Sequence, residues 1–589
     1  MSAKSKTKRS SVPAASAASA ATATPAGNGV ASPHSVPKVT RIVFTALLLD
    51  ILAFTIILPL FPRLLQFYRD SEHGDQTSLL AWSLSRLTEF QSAIGLNDHY
   101  NNSSSSSGSN AIKRPPKMDI VLLGGALGSL FSVLQFIASP IIGKLSDMLG
   151  RRRVLLISML GNLISCGVWL FSSTFDLFVL SRIIGGLSEG NVQLSIAMIS
   201  DITTPATRSK GLAMVGIAFA IAFTVGPAMG AYFANKDLVA AFPGLAEYGL
   251  HPFSGSALLA LVLLTVESLY LWARLPETNS ESWRVAVQQT VQQESAEATA
   301  AASSASSAPT TNGSSSHLDQ EKIQALQHSY LARLSFTHFA HLFLFSGMEF
   351  TLTFLTFHLF DFSHMQQGAL LGYIGILSSL LQGGYVRRRA HIVGEKRMVL
   401  QGMVSAALGL GFIALVSGGG GSNISLLLGG EKSILPNSIV DAIAWLDTQE
   451  WSRKTRMWGL YAGATGLAVT SATVVNCLTS LASLVCDMGS NSDPTSTSTT
   501  TTSQNNKTPS QPIGKGLALG RFRSWGQLGR AAGPIAACSL YWRVGPLVCY
   551  GAASFAVFAI TFLASRILPE VRKLPIRTRA SPAVIKKTQ

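Results

Sequence analysis

Eleven consecutive residues, Gly143-Lys-Leu-Ser-Asp147-Met-Leu-Gly150-Arg151-Arg152-Arg153, set one acid among four bases between two long apolar runs. Elsewhere, single ionisable residues interrupt such runs: Asp50, Arg182, Glu189, Glu349 and Arg530. The chemistry open to them is reversible: ion pairing, proton uptake and release, and binding of a charged solute. Asp50 lies nine residues past Arg41, about 13 Å deep in a helix at 1.5 Å per residue. An ionised acid near mid-membrane costs roughly 2.5–3.5 kcal/mol on insertion scales, so Asp50 must face a cavity or a partner. It is either a proton or substrate site or an acid held permanently by an Arg. Glu189 follows Arg182 by seven residues, two helical turns, which sets both on one helix face. The pair either holds its charges until a proton or substrate intervenes or is a fixed structural ion pair. Glu349 and Arg530 are the matching candidates in the second half. Gln135, Gln382, Asn476 and Gln527 offer hydrogen bonds to a solute or glue between helices. Arg523 is expected to snorkel, His338 and His341 to be interfacial, and Glu267 is set aside. No nucleotide loop, metal cluster or nucleophile elbow is present, so enzyme chemistry, a metal and a cofactor are not expected.

The elements that must position these residues are membrane spans. Hydrophobic residues make up 47% of the 589 and charged ones 13%, well below the roughly 25% charge of soluble domains. Runs of about 20 mostly uncharged residues suffice to cross a roughly 30 Å hydrocarbon core. Twelve are expected: Arg41–Phe61, Ile120–Ile142, Val154–Ser172, Leu177–Ile199, Gly211–Phe233, Ser256–Leu275, Leu334–Phe357, Gly368–Val386, Met398–Val416, Met457–Ala482, Gly516–Tyr541 and Leu547–Ile567. The fold class is all-α and polytopic. Residues 41–276 and 333–568 form six-helix bundles, with an external loop at 70–117. Residues 1–40 read as a disordered cytosolic tail, 277–332 as a flexible cytosolic linker, 487–512 as a Ser/Thr-rich cytosolic insertion and 569–589 as a cytosolic tail. No cleavable leader is visible, and span one is expected to act as an uncleaved anchor.

The halves resemble each other, a cue for duplicated transporters. Lys210-Gly-Leu-Ala-Met opens span five and Lys515-Gly-Leu-Ala-Leu opens span eleven. Gly226-Pro227 and Gly533-Pro534 follow within them. Gly150-Arg-Arg-Arg opens span three and Gly394-Glu-Lys-Arg span nine. The net charge of +16 comes from bases at span ends and in the tails, which sets orientation rather than nucleic-acid binding. Both termini are expected in the cytosol. Glycans are expected at the external sequons Asn101, Asn102 and Asn423, and not at Asn312 or Asn506. The five cysteines lie in or beside apolar runs without CxxC spacing, so no disulfide framework or metal site is indicated.

These residues resemble the major facilitator superfamily, in its drug:proton antiporter branch, and within it an animal tetracycline-transporter-like group of organic-anion transporters. The hinge matches the family pattern through Gly143, Leu145, Asp147, Gly150, Arg151 and Arg152, and departs from it at Met148, where the family prefers a base. Arg182-x-x-Gly185-Gly186 is similar to the span-four motif. Gly216 and Gly226-Pro227-Ala-Met-Gly230 are similar to the span-five antiporter signature, although Ala231 replaces its final Gly. The resemblance implies two pseudo-symmetric bundles rocking about a midplane cavity. It implies that Asp147 caps the N-terminus of span eleven, that Arg151 pairs with Asp201, and that both contacts exist only while the cytosolic side is closed. The implied cargo is an amphipathic organic ion exchanged against protons, in a chain working as a monomer in the plasma membrane or, second, an endolysosomal or vacuolar one. The alternatives are proton-independent organic-anion exchange through Arg182 and Arg530, and a non-transporting membrane partner or receptor that kept the fold.

Overall fold

The computed structural model describes residues 36–57, 60–72, 76–93, 118–205, 207–234, 244, 249–303, 317–362, 364–418, 445–446, 451–488 and 514–570. The sequons at Asn101, Asn102, Asn312, Asn423 and Asn506 and residues 1–35 and 571–589 of the tails lie outside them, while residues 36–40, expected in the tail, begin the first helix.

Every regular element in these residues is helical. The first half crosses with Val36–Thr55, Met118–Leu149, Arg151–Leu170, a broken span of Phe175–Ser188 and Asn191–Ile202, then Arg208–Ala234 and Ser254–Arg274. The second half crosses with His317–Phe360, His364–Leu381 continued by Gln382–Val386 and Arg387–Val393, then Glu395–Val416, Arg453–Cys486, Lys515–Val544 and Pro546–Ile567. Among the described residues, nine of these helices are long and apolar enough to cross a bilayer. The exceptions are spans one, four and eleven. Span four is split, and spans one and eleven carry Asp50 and Arg523 with Arg530 among further charges.

Spans three, six, nine and twelve turn large apolar side chains outward at helical spacing. Ile157, Leu160 and Ile164 do so on span three, and Phe555, Phe558 and Phe562 on span twelve. In water such stripes would be costly; against acyl chains they are the natural outer surface. The repeat is visible in the backbone as well. Gly150 and Gly394 both have positive φ, 95° and 90°, and both immediately precede a span.

Inside each half, small residues let helices approach closely, which supplies the packing that hydrophobicity cannot provide in lipid. Thr55 donates a 3.1 Å hydrogen bond to the Ala222 carbonyl, and a Cβ at Gly226 would strike that threonine. The matching contact in the second half joins spans seven and eleven. There a Cβ at Gly347 would lie 2.7 Å from the Gly533 carbonyl oxygen, and one at Gly529 2.6 Å from that of Phe339. Pro227 and Pro534 sit inside helices that continue through them.

Two segments expected to lack structure are helical in part. Phe61–Ser71 runs from the end of expected span one to the start of the external loop, with Leu64, Leu65 and Tyr68 buried against the first half, and Leu79–Ala93 lies within that loop. In the linker, Glu281–Ser303 forms a helix because Trp283, Ala286, Val287 and Thr290 recur at helical spacing, giving an otherwise polar segment one face to bury. Trp283 and Ala286 are buried.

The packing of spans seven and eleven gives a direct test. Gly529→Leu is expected to destabilise the purified protein by about 1–3 kcal/mol, the usual range for overpacking. Gly551→Ala, where an added Cβ meets no atom within 4 Å, should leave thermal unfolding unchanged. Equal melting temperatures for the two variants would contradict this account of the interface.

Candidate functional site

Eight spans wall a cavity of about 740 Å³ between the halves: one, two, four and five from the first, and seven, eight, ten and eleven from the second. The lining is largely apolar, with the ionisable residues Asp50, Arg182, Glu189, His338, His341, Arg523 and Arg530 spaced along it. Gln135, Gln382, Asn476 and Gln527 also face it.

The backbone irregularities fall on this wall. Span four breaks at Glu189–Gly190, and span eight passes through a π turn beginning at Gln382. Non-helical backbone at membrane depth is tolerated only where it is packed in protein or lines a wet space, and π turns gather at functional sites. The break leaves Glu189 at the end of one helix, 3.3 Å from the Asn162 amide that donates to it. Just past it, the buried Asn191 donates a 2.7 Å hydrogen bond to Asp50 on span one. Asp50 is thus tied to the very point where span four is interrupted.

The expected pairing of Arg182 with Glu189 is not formed. Two turns separate the residues by about 10.5 Å of rise, and the Arg182 guanidinium instead sits 5.4 Å from the ring centroids of both Trp169 and Phe178, an arrangement favoured by the ring quadrupoles. The cation whose charge acts on Glu189 and Asp50 is Arg523. It does not snorkel, and its Nε is buried without a hydrogen-bond partner among the described residues. His338 and His341 are buried on the cavity wall rather than interfacial; the His338 ring lies 4.3 Å from that of Phe522. Arg530 is exposed to the cavity, and Glu349, electrostatically linked to it, is exposed outside the lining. Glu267 is 1% exposed and turned into the first half, where its charge is coupled to those of Asp50 and Glu189. A position on an outer span concealed that inward orientation.

At one end of the cavity a charge network joins the halves. Asp147 accepts 2.8 Å hydrogen bonds from the backbone N–H groups of Gly516 and Leu517, the first turn of span eleven, where the helix dipole is positive. Arg151, almost wholly buried, lies 2.8 Å from Asp147 and 3.0 Å from Asp201. Lys515 lies 3.7 Å from Asp201 and 2.8 Å from Asp487, and Arg208 pairs with Asp487 as well. Burial opposes the charge of Asp487, but the adjacent Arg208 and Lys515 outweigh it and hold its carboxyl below the ordinary range. Neither Asp487 nor Lys515 is expected in this network from sequence: Asp487 looks like a lone charge at a span end, and Lys515 only like the start of the Lys-Gly-Leu-Ala repeat. A Cβ at Gly143 would strike the Gly516 carbonyl, and one at Gly216 the side chain of Gln382, so both glycines mark contacts between halves.

Among the described residues, the contacts found for Gly150 and Arg152 are with Glu277 and Trp272 rather than with the second half. Arg152 donates to the Trp272 carbonyl at 2.7 Å. Gly150 makes the turn in which Glu277 accepts hydrogen bonds from the N–H groups of Arg151 and Arg152, at 2.9 and 3.1 Å. Glu277, another acid missed by sequence, therefore caps span three.

Residues 43–482 match the Major Facilitator Superfamily. The chain is 32% identical over 532 residues to the mouse Major facilitator superfamily domain-containing protein 10, covering 90% of this chain and 93% of that one. It is similar to the crystal structure of the human organic anion transporter MFSD10 (TETRAN), with TM-score 0.59, 30% identity, and 90% and 99% of the two chains covered. The proton:xylose symporter XylE shares the fold at 13% identity and TM-score 0.52, over 92% and 97% of the two chains. A cavity walled by paired spans from two like halves, joined at one end by a charge network, agrees with these likenesses: the chain is a multi-pass membrane protein and belongs to the Major Facilitator Superfamily, a family of membrane transporters.

Proposed function

We propose that the chain carries amphipathic organic anions across the membrane by alternating access, in exchange for protons. The observation that carries this reading is the mixed charge of one apolar cavity, in which Arg182, Arg523 and Arg530 share the wall with Asp50 and Glu189. Buried charge of this kind is costly in a membrane protein and marks substrate or proton pathways. Arg530 is the substrate-facing cation, since it is exposed to the cavity and makes no ion pair or hydrogen bond with a described residue. The printed description of the human relative, an organic anion transporter, supports the sign of the cargo. Asp50 and Glu189 are the proton acceptors, with Arg523 the cation that shares their field. Asp50 accepts from Asn191 at the break in span four, so a change in its charge acts where that span is least constrained.

The network at Asp147, Arg151, Asp201, Arg208, Asp487 and Lys515 is the latch of the state closed toward the cytosol, with both termini on that side. The protein acts as a monomer in the plasma membrane and uses protons as its only coupling ion. A second reading, proton-independent anion exchange, is favoured by the Asp50–Asn191 hydrogen bond, which would then be structural.

Uptake of a labelled organic anion into proteoliposomes separates the two. An imposed pH gradient should raise uptake several-fold in the wild type, and Asp50→Asn should lose that response while keeping anion counterflow. Flux indifferent to the gradient, with normal transport by Asp50→Asn, would instead establish the exchange reading.

Arg530→Gln should lower uptake by about tenfold or more, the worth of one charge-assisted hydrogen bond to the anion. Unchanged uptake would remove Arg530 from the substrate site.

For the latch, Asp147→Asn should cost the closed state roughly 1–2 kcal/mol, shifting its population by about 5–30-fold. Spin-label distances between spans two and eleven would report the change, and an unaltered distance distribution would contradict a latch at this position.

A further inference from the structure

A second cavity, of about 500 Å³, opens at the latch end beneath the helix Glu281–Ser303. Arg41 from span one, Lys210 from span five and Arg387 from span eight converge on it, so both halves contribute a base, and no acid is among its described lining residues. All three side chains are exposed, and none makes an ion pair or hydrogen bond to a described residue. The remaining wall is partly apolar, with Trp283, Met214 and Val287. Three unneutralised cations facing one pocket repel one another unless a counter-charge enters.

The lining hydroxyls do not supply that charge; those of Thr40 and Thr203 already donate to carbonyls of their own helices. Among the segments on this side that lie outside the described residues, 1–35, 304–316 and 571–589 contain no Asp or Glu, and 489–513 contain Asp493 alone. Acids of the covering helix and the linker beyond it, Glu294, Glu297, Asp319 and Glu321, are not among the described lining residues. The described wall therefore presents three bases and leaves room for an external counter-ion. Positive-inside bias alone would scatter bases over the membrane surface, whereas here three separate spans aim them into one apolar-walled space. Guanidinium and ammonium groups spaced around a pocket suit the several oxygens of phosphate better than a single carboxylate.

We propose that this cavity binds a polyvalent phosphate-bearing anion, which bridges the two halves and holds them together at the latch end. The anion is either a soluble phosphate or the headgroup of an anionic lipid, and its binding is independent of the cargo in the main cavity.

The test uses the full-length protein in phosphatidylcholine nanodiscs, read by thermal unfolding at fixed ionic strength. One arm titrates pyrophosphate, and the other replaces part of the lipid with phosphatidylinositol bisphosphate. A rise in melting temperature in either arm supports the site and identifies the source. The shift should vanish in the triple variant R41Q/K210Q/R387Q, and Arg387→Gln alone should weaken pyrophosphate or lipid binding roughly tenfold. Arg388→Gln, whose side chain lies outside the lining, should bind as the wild type does. The three bases are exposed, so the single variants are expected to fold and serve if the triple one does not. No stabilisation in either arm, or stabilisation undiminished when the three charges are removed, would overturn the proposal. Because no transport is measured, failure here would leave the proposed cargo and coupling untouched.

Discussion

Charge in hydrocarbon must be solvated by something, and the arrangement of this molecule follows from where its charges are allowed to be. The three spans that are too charged or too short to pass as ordinary membrane helices are one, four and eleven. All three border the central cavity, as do the break at Glu189 in span four and the π turn at Gln382 in span eight. Spans three, six, nine and twelve contribute nothing to that lining and present apolar stripes outward. A polar interior and an apolar exterior are one constraint seen from two sides: a backbone that leaves the helix needs water or protein beside it, and so does a carboxylate.

Close packing is the second condition, and the duplication supplies it twice. Glycines on span five meet span one, and glycines on span eleven meet span seven, which keeps each half rigid. Contacts between halves differ in kind. Beside close approaches such as Gly143 on Gly516 and Gly125 on Phe350, hydrogen bonds and ion pairs gather at one end, including Ser209 to Glu395 at 2.6 Å and Asp147 on the start of span eleven, while Arg543 donates to the Ala93 carbonyl at 2.6 Å at the other. Ion pairs and helix-terminus contacts of this kind are each worth little, about 0.3–2 kcal/mol. A seam made of several such contacts holds one state without making it permanent, because the gap between two access states is itself only a few kcal/mol.

The fold was legible because its signals are redundant. Apolar runs, basic span ends and repeated Gly-Pro and Lys-Gly-Leu-Ala elements all point to twelve crossings in two like halves. The contacts of Asp147 and Arg151 were legible only through the family resemblance that the hinge pattern carries. What sequence could not give was which way a side chain turns. Glu267 on an outer span points inward, Arg523 reaches the acids rather than the interface, and Arg182 lies over aromatic rings. Each outcome depends on rotation about a helix axis that is set by neighbours distant in sequence. Asp487 was hidden by composition. It is the first residue of a Ser/Thr-rich stretch, yet it sits half-buried between Arg208 and Lys515.

The symmetry of the backbone is not matched by symmetry of charge, and that mismatch carries the functional argument furthest. Asp50, Glu189 and Glu267 all belong to the first half and influence one another, while Arg523 and Arg530 belong to the second. In a single rigid body these groups would simply neutralise. If the seam opens and closes as proposed, their separation changes with the access state, and so does the free energy of any charge bound between them. Arg523 acts on Asp50 and Glu189, and Arg530 acts on Arg523 in turn, so the charge state of the first-half acids is linked to that of the second-half cations. Coupling of this form needs no dedicated wire through the protein; it needs opposite charges on opposite sides of a moving boundary.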